Sequence, residues 1–467
     1  MSSKGWCSPG FESVQQLFDK HLQTIEEHAQ VCAFVNGEKV VDLFGSANNN
    51  AAIPGSYGTY SGTTVQNVYS STKAITSLVV AILEDRGHLS YSQLVTDLWP
   101  EYGQNGKEGT TIAMVMRHEA GLPYLQLPVE CLKTENIKKG EASNRIAKAK
   151  PKFPNGSTNV ADRINDPDND KRWRAYHATS RGYIVNEIVR RADPLGRTIG
   201  EFLREEIANP LQISDTELFI GLKNEKQKNN IADITSIFAY SWETWQSIVY
   251  PSIMGGQTVP LKSWWLKFWL ALGIPLGHLI GAMGIGGGVI KQLSGVKGLS
   301  KESENLNNPY NSIEMRSIEI PSANGHANAR SLAKIATVLV EGGAIGNARL
   351  LSKNGVDRAV GGGVKASMGA AGMLTNADFR SHNTFTNAGW NQFSELPKDT
   401  GRDGWIGWLG VGGSVLQWYH NDNYRIGFGF CGTLMHLIPT NERALALQNE
   451  IQKCCEIKFG KRGVSKL

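Results

Sequence analysis

The chain has little cysteine. There are six in 467 residues, none in a Cys-x-x-Cys pair, and Cys454 and Cys455 are adjacent. That is too sparse for a disulfide framework and fits a reducing compartment. His-Glu-x-x-His is missing, as is any cluster of cysteine with histidine, so no metal is expected. Strong charge of one sign is also lacking. The formal net charge is +5, and the densest basic stretch (Lys138, Lys139, Lys148, Lys150, Lys152) carries no interleaved aromatics. Nucleic acid is therefore not an expected partner. Met1 to Gly10 contains no apolar leader, so secretion is not expected. Asn155-Gly156-Ser157 then reads as a turn rather than a glycosylation site. No internal repeat is found.

Phe268 to Ile290 is a largely apolar run of 23 residues without a formal charge, and it includes seven glycines, Pro275 and His278. A bilayer span needs a continuous helix of about 20 residues, and this one is broken. It reads as an apolar loop or buried hairpin, with peripheral membrane contact through Trp264, Trp265 and Trp269 as the alternative. Gly284 to Gly288 lack a following Gly-Lys-Ser/Thr and do not form a phosphate loop.

With 41% hydrophobic and 19% charged residues, the chain can bury a sizeable core. Phe11, Val14, Leu17, Phe18, Leu22 and Ile25 recur at helical spacing. Two β-rich runs, Val31–Val35 and Val40–Phe44, flank Asn36-Gly37 and predict a hairpin. From Ser70 to about Leu218 the pattern is mainly helical. Leu332 to Gly342 predicts another helix, closed by Gly342-Gly343. Gly412 to Tyr419 and Tyr424 to Gly432 predict strands, and about Asn441 to Lys458 a final helix. Strands at both ends with helices between them suggest one sheet built from both termini around a helical insertion.

Three motifs carry chemistry. Ser70-Ser71-Thr72-Lys73 opens a helical pattern of Ala74, Ile75, Leu78, Val79, Ile82 and Leu83, ended by Gly87. Residues three apart share a helix face, so Lys73 can reach the Ser70 hydroxyl. A lysine that takes that proton must be neutral near pH 7, which needs burial or a cationic neighbour. Tyr176-His177-Ala178 precedes an amphipathic helix, Ile184 to Arg191, and a tyrosine beside a serine–lysine pair can act as general base. Trp408-Leu409-Gly410-Val411-Gly412-Gly413-Ser414 begins a strand. A glycine-rich strand edge admits a substrate close to the backbone and can offer an N–H to an oxyanion. Each motif also has a plainer reading, as a core helix, a packed tyrosine and a β-bulge.

In this order the motifs resemble the β-lactamase-related serine hydrolases: class C β-lactamases, DD-peptidases and, most closely, family VIII esterases. Trp99 to Lys107, Arg117 to Pro123, Ile320 to Gly325 and Ala329 to Ala333 are similar to the family's flanking segments, so the resemblance covers most of the chain. It implies an α+β fold, an antiparallel sheet flanked by helices with a mostly helical subdomain. The implied layout is one composite domain over 1–459, with the sheet part at about 1–64 and 310–459 and the helical part at about 65–309. Carried over, Ser70 is the acylated nucleophile, Lys73 its proton partner and Tyr176 the base. The backbone N–H groups of Ser70 and Val411 form the oxyanion hole, with Trp408 and Gly410 beside the substrate.

Two departures from the family pattern matter. Ala178 stands where the β-lactamases have asparagine, and Trp408 stands where they have the lysine that holds a substrate carboxylate. The resemblance therefore implies an esterase acting on neutral acyl esters. The alternatives are an amidase, lactamase or peptidase, or a silent binding protein that keeps the fold. Ser465-Lys466-Leu467, after the basic segment 460–464, reads as an address for the peroxisomal import receptor, with a cytoplasmic protein as the alternative.

Overall fold

The computed structural model describes residues 3–24, 26–47, 59–123, 125–151, 174–236, 295–304, 306, 308–369, 381–392, 403–410, 412–435 and 442–460. The apolar run Phe268 to Ile290, the three tryptophans before and within it, Val411 and the terminal Ser465-Lys466-Leu467 lie outside these residues. Among the described residues no helix is long and apolar enough to cross a membrane. All six cysteines are free thiols.

The fold is α+β. A ten-stranded sheet runs in the order Lys4–Cys7, Glu38–Ser46, His28–Val35, Arg425–Gly432, Val415–His420, Ile406–Leu409, Asn391–Gln392, Ser381–Phe385, Val364–Gly369 and Arg174–Ala175. Neighbours are antiparallel. The exception is the last pair, where Arg174–Ala175 joins Met368 and Gly369 in parallel. The N-terminal strands meet the C-terminal ones directly, with Val35 opposite Ile426 and Val31 opposite Phe430. The hairpin at Asn36-Gly37 is as the sequence predicts. Val35 pairs with Glu38, and the two turn residues take φ of 51° and 82°, the left-handed pair that a two-residue loop requires.

Side-chain alternation decides what each sheet face carries. Ala29, Val31, Ala33 and Val35 join a core with the terminal helices Glu12–Thr24 and Glu442–Phe459, whereas Cys32 and Phe34 point into the larger core on the other side. Ile426-Gly427-Phe428-Gly429-Phe430 does the same with unequal sizes. The three large residues face the terminal helices. A Cβ on Gly427 would stand 2.2 Å from Thr337 Oγ1, and one on Gly429 2.3 Å from the Ala329 carbonyl. Those two glycines let the helix Ala329–Val340 lie directly on the sheet.

A small three-stranded sheet, Gln66–Asn67, Gly325–Ala327 and Leu218–Ile220, ties the segment leading into Ser70 to the later half of the chain. His326 sits on its middle strand, fully buried and stacked on Phe219 at 5.0 Å. Burial, and secondarily Arg316, lower its pKa to about 3. The folded state therefore holds it neutral, while the unfolded chain protonates it near its ordinary value of about 6.5. Its stabilising contribution is complete above about pH 6.5 and is lost as pH falls toward about 3, at about 1.4 kcal/mol per pH unit within that window. Thermal melts of the wild type and His326→Leu between pH 7.5 and 4.5 check this. The wild type should lose ground to the variant as pH falls, and a difference in Tm that does not change with pH would contradict it.

Candidate active site

The first motif folds as the sequence predicts. A 3-10 turn, Tyr69–Ser71, feeds the helix Thr72–Asp85. Ala74, Ile75, Leu78, Val79, Ile82 and Leu83 are all fully buried, and Gly87 leaves the helix at φ 75°. Tyr69 just before the nucleophile has φ 42°, a conformation that costs a non-glycine residue about 1 kcal/mol or more. It is held there by its N–H donating to Asn67 Oδ1 at 2.7 Å and by Asn308 Nδ2 donating to its hydroxyl at 2.7 Å. Ser71 is excluded as a rival nucleophile, because it is fully buried and its hydroxyl donates to the Ser414 carbonyl at 3.1 Å.

Ser70, Lys73 and Tyr176 converge. The Ser70 Oγ lies 2.5 Å from the Tyr176 hydroxyl and 3.3 Å from Lys73 Nζ. Lys73 Nζ also donates to the carbonyls of Ala178 at 2.7 Å and Ser322 at 2.9 Å. The Ser322 carbonyl is presented by a tight turn braced by Asn324, whose side chain accepts from Ile320 N–H and donates to the Met315 and Ile318 carbonyls. The Ala178 carbonyl sits at the second motif, just before the helix Ser180–Ala192. Ala178 replaces a side chain, but its backbone oxygen still holds the lysine.

Burial first, and the Arg181 guanidinium second, hold the Lys73 amine well below its usual range. A neutral amine has two N–H groups and one lone pair. The two carbonyls take both N–H groups, which leaves the lone pair for the Ser70 hydroxyl. The Tyr176 phenol moves the other way. Burial pushes it up to about 12 against the smaller opposing effects of Ser70 and Arg181. It is a neutral O–H donor at pH 7, not a resting phenolate.

The third motif closes the site from the strand Ile406–Leu409. Trp408 is 5% exposed, with its indole N–H donated to the Gly389 carbonyl at 2.9 Å. Its ring lies near His118, Phe385 and Tyr176, at centroid distances of 5.6, 5.5 and 6.2 Å. It is a wall of the site rather than a hydrogen-bonding contact for substrate. Gly410 is a close-approach glycine, since a Cβ there would meet Ser414 Oγ at 2.2 Å and the Val68 carbonyl at 2.4 Å. Ser414 Oγ donates to that same carbonyl at 2.6 Å, so the third motif is stapled to the turn before the nucleophile.

Three groups around the site had no role in the sequence reading. His177 Nε2 accepts from the Leu122 N–H at 2.9 Å, and the His177 N–H donates to His118 Nδ1 at 3.0 Å. The segment 117–123 and the second motif are interlocked in this way. Arg181 is fully buried in the first turn of the helix that follows the second motif, with Nη2 3.9 Å from Met116 Sδ. A His-Ala pair after the tyrosine and a His-Glu pair upstream were the available signals. Nothing in the linear pattern joins them.

The beta-lactamase family model matches residues 14–452. The chain belongs to the beta-lactamase family. It is 26% identical over 325 residues to the esterase/beta-lactamase LipL of Mycobacterium tuberculosis, a match covering 69% of this chain and 61% of that relative's length. Among solved structures it is similar to a family VIII carboxylesterase, with TM-score 0.67, 22% identity and coverage of 97% of this chain and 100% of the other. A penicillin-binding protein homolog from Caulobacter crescentus is similar as well, with TM-score 0.66, 23% identity and the same coverage. At these identities the two structures speak to the fold, which is the expected sheet flanked by helices.

Proposed function

We propose that this beta-lactamase family member is a carboxylesterase that forms and hydrolyses an acyl-enzyme on Ser70, with Lys73 rather than Tyr176 as the base. Ser70 Oγ bonds to the acyl carbon as its proton passes to Lys73 Nζ. The carbonyl oxygen becomes an oxyanion, which the Ser70 N–H at the start of the helical segment stabilises. The C–O bond of the ester then breaks, and the alkoxide leaves with a proton from the Lys73–Tyr176 pair. Water repeats the sequence on the acyl-enzyme and restores Ser70.

The observation that carries the preference for neutral esters is Trp408. The resemblance puts a lysine at this position in enzymes that hold a substrate carboxylate. Here the residue is uncharged, nearly buried, and has its only polar atom committed to Gly389. A relative described as an esterase/beta-lactamase is compatible with either chemistry, so the residue is the stronger guide.

A panel of p-nitrophenyl acyl esters of increasing chain length, set beside penicillins and cephalosporins, tests this. Every short neutral ester should have kcat/KM at least about 100-fold above any lactam, the scale on which loss of one charge contact is felt. A cephalosporin hydrolysed with higher kcat/KM than every ester would overturn the reading.

A further inference from the structure

Arg181 is one of the largest fully buried side chains in the molecule. Among the described residues no carboxylate lies within ion-pair distance of it. Its Nη2 donates to Ser77 Oγ at 2.7 Å and the Ala388 carbonyl at 3.4 Å, and contacts Met116 Sδ at 3.9 Å. Nε and Nη1 find no hydrogen-bond partner. A guanidinium buried this way is expensive and is not a structural ion pair. The Trp408 ring centroid lies 5.8 Å from the guanidinium carbon and 5.7 Å from Lys73 Nζ. The two nitrogen bases are therefore no more than about 12 Å apart, in a site closed to water at both residues.

Two cations at that separation, with no counter-charge among the described residues, repel each other, and this adds to the burial that already disfavours the charge on Lys73. Arginine holds its proton far more firmly than lysine. Burial lowers Arg181 only to about 9, so at neutral pH it keeps the charge. The other titratable groups gathered here are His118, His177 and Tyr176. Both imidazoles accept a backbone N–H, which a doubly protonated ring cannot do, so both are neutral. The tyrosine is a neutral phenol. Arg117 and Glu119 pair with each other at 3.3 Å, so among the described residues Arg181 is left as the fixed charge acting on Lys73.

We propose that Arg181 is a positioning residue for the Ser70 reaction: its buried charge, which no carboxylate among the described residues compensates, reinforces burial in keeping the Lys73 amine ready to accept the Ser70 proton. The site thus retains a cation near the third motif, but one directed at the enzyme's own base instead of at substrate. This rests on the reading of Ser70 as nucleophile.

The test is the pH dependence of kcat/KM on a neutral p-nitrophenyl ester. In Arg181→Met the acid limb, which reports Lys73 in the free enzyme, should move up by about one pH unit with KM nearly unchanged. Arg181→Lys should move the limb up as well, by no more than Arg181→Met does, because a buried amine sheds its proton where a guanidinium keeps it. An acid limb that stays in place in Arg181→Met, with activity lowered evenly at all pH, would mean a packing role and would overturn the proposal. The wild type alone provides a second measurement, free of folding risk. Its labelling rate with a fluorophosphonate should reach half its maximum well below the ordinary lysine range of about 10, and a midpoint within that range overturns the proposal. Failure to label at any pH would instead remove the nucleophile reading beneath it, so the two failures are distinguishable.

Discussion

Replacing Ser70 with alanine is expected to reduce ester hydrolysis by at least about 1000-fold while leaving the protein folded. In the proposed mechanism the hydroxyl is the group that bonds to substrate, and no described neighbour is placed to take over. Ser71 Oγ is buried and committed to Ser414, and the Tyr176 hydroxyl is held as a protonated phenol. The substitution removes one oxygen that is only partly shielded, so stability should change by less than about 1 kcal/mol. Turnover on the best ester and a thermal melt together check this. Hydrolysis within tenfold of the wild type would show that another residue is acylated.

Lys73→Met should be nearly as damaging to turnover, again by about 1000-fold or more, and for a different reason. Methionine fills much of the same volume but offers no lone pair to the Ser70 hydroxyl. It also leaves the Ala178 and Ser322 carbonyls without their donor. Against that cost stands relief from burying an amine beside Arg181. These effects oppose each other, so Tm should stay within about 5 °C of the wild type. A stable Lys73→Met protein with near-normal kcat would move the base to Tyr176, the role suggested by the sequence.

The parts of the fold legible in the sequence are those where local chemistry and tertiary packing agree. Asn36-Gly37 demands left-handed φ at two successive residues, which only a tight hairpin uses well. The helix after Ser70 shows its apolar residues because it is buried on almost every side. Strands such as Ser381–Phe385 and Asn391–Gln392 were not legible, because they are short and polar and lack alternation. Lys4–Cys7 is a mostly exposed edge strand set only by its pairing with Val41–Phe44.

The candidate site divides along similar lines. Ser70, Lys73 and Tyr176 carry their chemistry in side chains at recognisable spacings. The two carbonyls that hold Lys73 belong to Ala178 and Ser322, and no side-chain pattern announces a backbone oxygen. Arg181 lies within a helical segment in which a charge reads as a solvated face. Its meaning comes from the residues that close over it, which the linear sequence keeps far apart. Glycine at 410 read as an opening for substrate, whereas its missing Cβ makes room for Val68 and Ser414.

The most direct measurement is to map the site of covalent attachment. The wild-type protein is labelled with a fluorophosphonate, digested, and the modified residue located by tandem mass spectrometry, with Ser70→Ala and Lys73→Met run in parallel. The modification should fall on Ser70 alone in the wild type, and both variants should remain unlabelled. Modification of Ser71 or of any residue outside this site, or labelling that survives in Ser70→Ala, would contradict the assignment of Ser70 as the nucleophile.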